Sequence, residues 1–253
     1  MRSTLLFSLL TVSLFAEAPA QPTIPAEPIG KKKDLLFEDN FEGAQPDKRW
    51  HQVVQTFTVE KGALKGTQTR VQNIPAADGK PAVTAHAAVH GLELPTSDSI
   101  VECKFCFEGA TMMDIEFDDR KYTGCHYGHI CRAQVRFNPK DKSWSAVIID
   151  EKEGNMRNDI YEMKNDPSKK AEVAKLLQGR QATFPIKQGL ETGKWYTVVV
   201  ETIGDEMRLS VDGKAVAYLK SPGIAHATKS KIEFGVAGQS GCFDDLKVWS
   251  AAK

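Results

Sequence analysis

The sequence carries no net charge: 33 basic residues stand against 33 acidic ones. A basic footprint for nucleic acid is therefore missing, and so is one for an anionic membrane surface. The apolar run from Leu5 to Ala16 is too short to span a bilayer comfortably, which takes about 20 residues. No cysteine follows that run, which speaks against a lipoprotein anchor. There is no internal repeat and no recognised zinc-ligand spacing. Cysteine is scarce and its count, five, is odd, so one thiol at least stays free or pairs with another chain.

What is present begins with an export signal. Met1-Arg2 gives a positive start, Leu5 to Ala16 the apolar segment, and Ala18-Pro19-Ala20 the small residues that a signal peptidase reads. Residues 1–20 are expected to be a signal peptide cleaved near Ala20–Gln21; the alternative is a short N-terminal anchor. The mature chain would then be periplasmic or extracellular, with no membrane span after cleavage. Residues 21–33 (QPTIPAEPIGKKK) read as an extended, solvated linker. An exported chain permits disulfides. Cys103 and Cys106 lie on opposite faces of an expected strand, so they should not bond each other. Cys125 or Cys131 could reach Cys106 from a neighbouring strand.

From residue 34 the pattern is that of short strands with turn residues between them. Leu35 to Phe37, Trp50 to Val54, Phe57 to Glu60, Ala63 to Thr67 and Ala82 to Val89 are expected strands. Ser99 to Glu108 alternates clearly, with Val101, Cys103, Phe105 and Phe107 on one side. Met112 to Asp118 repeats the pattern: Met113, Ile115 and Phe117 form an apolar row and Asp114, Glu116 and Asp118 an acidic one. Ile130 to Phe137, Trp144 to Ile149, Trp195 to Thr202, Met207 to Val211, Ala215 to Leu219, Lys231 to Ala237 and Cys242 to Trp249 follow. Asp212-Gly213 marks a hairpin. One helix interrupts them, with Asp166 as N-cap, Pro167 in its first turn and Gly179 past its end. Residues 154–179 thus read as a helical insertion lying over an all-β, two-sheet antiparallel sandwich that spans 34–251.

The ending resembles the last strands of concanavalin A-like lectin/glucanase sandwiches. The residues that carry this are Gly193-Lys194-Trp195-Tyr196, Val211-Asp212-Gly213-Lys214 and Phe243-Asp244-Asp245-Leu246-Lys247-Val248. The opening Leu36-Phe37-Glu38-Asp39-Asn40-Phe41-Glu42 matches the first strand of the same fold. Within it the chain is similar to secreted bacterial domains of the 3-keto-disaccharide hydrolase-like group, and more distantly to laminarinase-type glucanases. The resemblance implies a jelly-roll sandwich, a sugar ligand and cleavage of glycosidic bonds, in the first group those of 3-keto sugars. It also implies a structural calcium ion tying the first strand to the last, for which Asp39, Glu42 and Asp244 or Asp245 are placed.

The chemistry concentrates between Met112 and Arg132. Laminarinase-type glucanases place acids on one strand as Glu-x-Asp-x-(x)-Glu; here Asp114-Ile115-Glu116-Phe117-Asp118 is comparable, with aspartate at both outer positions. Same-face neighbours on a strand are roughly 7 Å apart. Retaining glycosidases need carboxyls about 5–5.5 Å apart and inverting ones about 6.5–9.5 Å. Asp114, Glu116, Asp118 and His126 are the catalytic candidates. Arg120, His129 and Arg132 could hold sugar hydroxyls or a keto oxygen, Tyr127, Trp144 and Tyr161 could stack on sugar rings, and Asp159 could reach in from the insertion. The rival reading of the acid row is a solvated polar face. The expected function is an exported hydrolase or lyase acting on an oligo- or disaccharide, needing no cofactor; the alternatives are a non-catalytic carbohydrate-binding module and a structural or interaction domain.

Overall fold

The computed structural model describes residues 21–43, 47–54, 56–77 and 79–253, so the expected signal peptide lies outside the described residues. Thirteen strands and two short helices follow in order: β1 (Lys31–Asp39), β2 (Trp50–Val54), β3 (Phe57–Glu60), β4 (Ala63–Thr67), β5 (Ala88–Thr96), β6 (Ser99–Asp118), β7 (His129–Asn138), β8 (Ser143–Asp150), α1 (Asn158–Met163), α2 (Lys170–Leu176), β9 (Gln181–Pro185), β10 (Trp195–Ile203), β11 (Glu206–Val211), β12 (Lys214–Lys220) and β13 (Lys229–Ala252). All the pairings are antiparallel.

Two long strands, β6 and β13, organise the rest. They pair along nearly their whole length, and each belongs to two layers. The first half of β6 and the second half of β13 join β10, β11 and β12 on one side, and β1, β4 and β3 on the other. The second half of β6 and the first half of β13 join β7, β8 and β9 on one side, and β5 and β2 on the other. The register between the two strands slips around Ala237 to Gly241, where the layers part. Gly238 has φ of 100°, and a Cβ there would sit 2.5 Å from Thr111 N, so only glycine passes this bend.

The core fills the space between the layers. The odd-numbered row of β6, Val101, Cys103, Phe105 and Phe107 and then Met113, Ile115 and Phe117, is buried throughout. Phe105, Phe234 and Phe243 meet edge to face at 4.9 and 5.3 Å. Each fully buried side chain of this size stabilises by about 1.5–3 kcal/mol. Trp144 belongs here too: it is buried, and its ring packs at 4.9 Å from Phe107 and 4.7 Å from Phe137. The expectation that it stacks on a sugar is corrected; the alternation of β8 turns it inward.

Other expectations change in detail. Ser99 to Asp118 is one strand, not two. Residues 82–87 pair only through isolated bridges, and the strand expected there starts at Ala88. That strand is buried on both faces, so it lacks a polar row that would have marked it. The stretch read as a solvated linker is docked: Lys31 to Lys33 open β1, the Pro25 and Ala26 carbonyls accept from the Arg208 guanidinium at 3.1 and 3.0 Å, and Ile24 packs on the core. The insertion holds two helices. Asp166 caps the 3-10 turn Pro167–Lys169 that leads into α2, accepting from Ser168 N at 2.8 Å, and Gly179 follows with φ of 70°. All five cysteines are buried and free, and Cys106 faces Cys242 across β6 and β13, not Cys125 or Cys131. Cys131 instead lies opposite Phe117 and Asp150.

Candidate functional site

Because β6 alternates strictly, its even residues in the second layer all point away from the core. The pairing of neighbouring strands turns them into three cross-strand rows. In the central row Glu116 stands between Glu233 on β13 and Arg132 on β7, with Gly91 of β5 and His51 of β2 beyond Glu233. In the next row Asp118 stands between Lys231 and His129. In the third Asp114 stands between Gly235 and Gln134. A Cβ at Gly235 would collide with the Asp114 carboxylate, so this glycine leaves the acid its room.

These charges are buried, not solvated. Asp114, Glu116, Asp118, Lys231 and Glu233 are 3%, 4%, 0%, 7% and 3% exposed. Loops after β6, before β5 and after β8 wall the face off, leaving a cleft of about 1050 Å³. Its floor includes Asp114, Glu116, His129, Arg132, Lys231 and Glu233. The reading of the acid row as a solvated polar face is thereby corrected.

Each acid has a cation on it. Arg132 places Nη2 2.6 Å from Glu116 Oε1, Nη1 3.5 Å from Asp114 Oδ2 and Nε 2.7 Å from Glu151 Oε1. His129 Nδ1 lies 2.7 Å from Glu116 Oε1 and 3.1 Å from Asp118 Oδ1. Lys231 Nζ lies 3.0 Å from Asp118 Oδ2 and also contacts Glu233 Oε1. Gln134 Nε2 donates to Asp114 Oδ2 at 3.0 Å, and Arg136 donates to Gln134 Oε1.

Burial and charge split the acids. Burial raises Glu116 to about 7, against the pull of Arg132. Burial raises Glu233 as well, and the Asp118 charge adds to it. Burial also acts on Asp118, but hydrogen bonding to His129 and the charges of His129 and Lys231 win and hold it below the usual carboxylate range. His129 is raised to about 11: burial opposes its charge, and Glu116 and Asp118 overcome that. The imidazole is thus a cation at neutral pH.

The remaining candidates divide. Arg120 and Tyr127 line the cleft. Arg120 Nε donates to Glu93 Oε1 at 2.9 Å and its Nη2 lies 2.7 Å from His51 Nε2. Tyr127 is 81% exposed with φ of 50°, an aromatic ring held out to solvent on a backbone that rarely carries one. Asp118, fully buried, is not part of the lining and touches only its partners. His126 is also outside the lining, stacked on Tyr161 at 3.7 Å. Lys164 lies over the Tyr161 ring at 3.6 Å, so that ring has no free face to offer as expected. Asp159 is taken by Arg157 at 2.7 and 2.9 Å. Sequence reasoning missed Lys231, Glu233, Glu151, His51 and Gln134. The alternation Lys231-Ile232-Glu233-Phe234 was visible, but its register against β6 was not.

Among the described residues, Glu116, Asp118 and His129 are the group of His, Cys, Asp and Glu whose ligand atoms lie within 4.8 Å of one another. Arg132 and Lys231 already neutralise these acids, so a divalent cation would have to displace them. The calcium candidates do not form such a group. Asp39 accepts from Phe41 N at 2.9 Å and from Trp50 Nε1 at 2.9 Å, which organises the loop after β1. Glu42 lies beside Gly62, and Asp244 is raised by burial, with Asp245 N bonded to it at 2.7 Å.

The solved structures similar to this chain agree on its architecture. Porphyranase B from Zobellia galactanivorans superposes with a TM-score of 0.56 at 14% identity, over 94% of this chain and 100% of its own. The fold is that of the concanavalin A-like sandwiches. An endo-β-1,3-glucanase from Pyrococcus furiosus gives 0.55 at 10% identity, over 90% and 100% of the two chains. A Bacillus subtilis protein with a galectin-like fold gives 0.58 at 11%, over 89% and 100%. The Laminin G domain family model matches residues 170–247. No curated protein matches the sequence. No helix among the described residues is long and apolar enough to cross a membrane.

Proposed function

We propose that the chain is an exported carbohydrate-active protein, a hydrolase or lyase of glycosidic bonds in an oligo- or disaccharide, with Glu116 as its central acid/base group. The observation that carries this is the cleft itself: a carboxyl that burial pushes up to about 7 lies on its floor, between an arginine and a second glutamate. A pKa close to working pH suits a group that both takes and gives a proton. The solved sandwiches of this fold include a glucanase and a porphyranase by name, which supports the same reading.

For a 3-keto sugar the chemistry is short. A carboxylate takes the proton from C2, beside the carbonyl. The C–H pair passes into an enolate, C2=C3–O⁻, which then collapses to a C1–C2 double bond and restored carbonyl as the C1–O bond breaks, and the departing oxygen takes a proton from an acid. Water then adds across that double bond, its oxygen to C1 and a proton back to C2, to complete a hydrolysis. His129 and Arg132, both cationic, would stabilise the negative charge that develops on the keto oxygen. Tyr127 would stack on an apolar sugar face. Asp118 has no access to substrate; it fixes His129 and Lys231. The reading needs no cofactor.

One observation favours a second reading. Glu116 and its neighbours on β6 are largely paired with Arg132, His129, Lys231 and Gln134, as in a rigid binding floor, so a carbohydrate-binding module is the rival. The deciding experiment is release of reducing sugar and keto sugar from a panel of glycosides and 3-keto glycosides, run with wild type and Glu116→Gln. Turnover lost in the variant with binding retained supports the enzyme. Binding without turnover in both supports the module.

A further inference from the structure

We propose that Glu233 is the second carboxyl of the site, and that Glu116 and Glu233, opposed across β6 and β13 on the floor of the cleft, work as a pair that shares one proton. This rests on the enzymatic reading and names its second catalytic residue.

Three observations lead to it. First, the two residues are direct cross-strand partners on the same face. Opposed side chains have Cβ atoms about 4.5–5.5 Å apart, so the carboxyls can come within the separations that glycosidic chemistry uses. Second, both line the cleft while Asp118 does not. The pair along the strand, Glu116 with Asp118, has one member that substrate cannot touch; the pair across the strands has two that it can. Third, the charges count out. Arg132, His129, Lys231 and Arg136 are four cations, and Asp114, Glu116, Asp118, Glu151 and Glu233 are five acids. Burial this deep disfavours an uncompensated charge. His129 is shared between Glu116 and Asp118, Lys231 between Asp118 and Glu233, and Arg132 among Asp114, Glu116 and Glu151. Asp118 is held low by two of these cations, so the surplus falls on Glu116 and Glu233, which face each other across the strands. One proton between them removes it, and burial raising both carboxyls agrees.

The surroundings make the pair unequal. Arg132 faces Glu116, with Glu151 behind it. Lys231 faces Glu233, and beyond Gly91 the His51 ring closes the row, itself between Glu93 and Arg120. Asp118 and His129 flank one side and Asp114 the other. In the reaction the ionised member takes the proton from the sugar carbon or from the attacking water. The protonated member gives its proton to the leaving oxygen, and the two exchange charge.

The test reads the proton directly. Carboxyl carbons of carbon-13-labelled glutamate are followed by NMR through a pH titration in wild type, Glu233→Gln, Glu233→Asp and Glu116→Gln, the last also assigning the Glu116 signal. Removing a like charge should lower the Glu116 midpoint by about one pH unit or more in Glu233→Gln. Glu233→Asp, which keeps the charge, should hold it within about 0.5 unit of wild type. By reciprocity the Glu233 midpoint should fall equally in Glu116→Gln, which serves if Glu233→Gln does not fold. An unmoved midpoint overturns the pair. Turnover assays separate this from the wider reading. Glycoside cleavage that needs Glu116 but survives Glu233→Gln would sink the inference and keep the enzyme. Coupled titration with no cleavage of any glycoside would leave the shared proton and sink its catalytic use.

Discussion

The same two strands present opposite surfaces at their two ends. In the first half of β6, Glu102, Lys104 and Glu108 point outward and make ordinary ion pairs in water: Lys32 to Glu102 at 2.9 Å, Lys104 to Asp245 at 2.6 Å and Lys65 to Glu108 at 2.9 Å. In the second half Asp114, Glu116 and Asp118 point outward with the same period, yet all are buried. Alternation is identical in both halves; what differs is cover. Among the described residues the first face leaves Glu102, Lys104 and Glu108 in reach of water, while loops wall the second. Exposed pairs are worth about 0–1 kcal/mol, and breaking a buried one costs about 3–5 kcal/mol. A charge on a strand acquires chemistry when the chain removes water from it.

The sharpest way to break this comparison is activity. Glu116→Gln should lower turnover of a cleaved glycoside by about 10²- to 10⁴-fold, the usual worth of a general acid/base. Glu102→Gln, on the same strand, should change it less than twofold. Equal losses in the two variants would mean that burial confers no special role on Glu116. The pH profile of kcat/KM should also show a limb near 7 that is absent in the variant, since burial raises the Glu116 carboxyl to about 7.

Stability is the next largest contrast. Arg132→Met leaves Asp114, Glu116 and Glu151 without their shared cation and should cost about 3–5 kcal/mol in urea unfolding. A loss below about 1 kcal/mol would show that the buried network is no stronger than the exposed pairs.

Much of this was legible in the sequence, and the limits have physical causes. Period two gave the buried row Val101 to Phe107 and Met113 to Phe117, because a half-buried strand must alternate. The acid row was visible for the same reason. Its burial was not, because much of the cover comes from the loops before β5 and after β8, distant in sequence. Glu233 and Lys231 were out of reach because register between β6 and β13 is set by long-range pairing 117 residues apart for Glu116 and Glu233. Trp144 was misread in role because an aromatic on a strand has no mark that tells core from platform. The anchoring of residues 25 and 26 was out of reach because a contact made by backbone carbonyls, Pro25 and Ala26 to Arg208, leaves no mark in side-chain composition.

The two ends of the pH scale should sharpen the contrast with smaller effects. His129 is raised to about 11 in the folded chain, above its ordinary 6.5. Its contribution is complete below about pH 6.5 and is lost as the pH rises through 11. Asp118 is held low, so its contribution is present above 3.8 and is lost as the pH falls below that. Urea midpoints measured from pH 5 to 10 should fall at the alkaline end in wild type and less steeply in His129→Gln. An identical slope in both would detach His129 from the network.

The smallest effect belongs to the open face, and it tests the premise of the comparison. Lys104 is 43% exposed and pairs with Asp245, which is 48% exposed. Water screens both, so the pair gains little Coulomb energy and pays side-chain entropy to form. Lys104→Ala should shift stability by less than about 1 kcal/mol, and raising the salt to 1 M should shrink even that, since the screening length falls to about 3 Å. Arg132→Met should keep most of its cost in the same salt, because Asp114, Glu116 and Glu151 are buried and counterions screen buried charges much less. If salt erased both differences alike, the floor of the cleft would be wet, and burial of the acids would no longer explain why Glu116 titrates near neutrality.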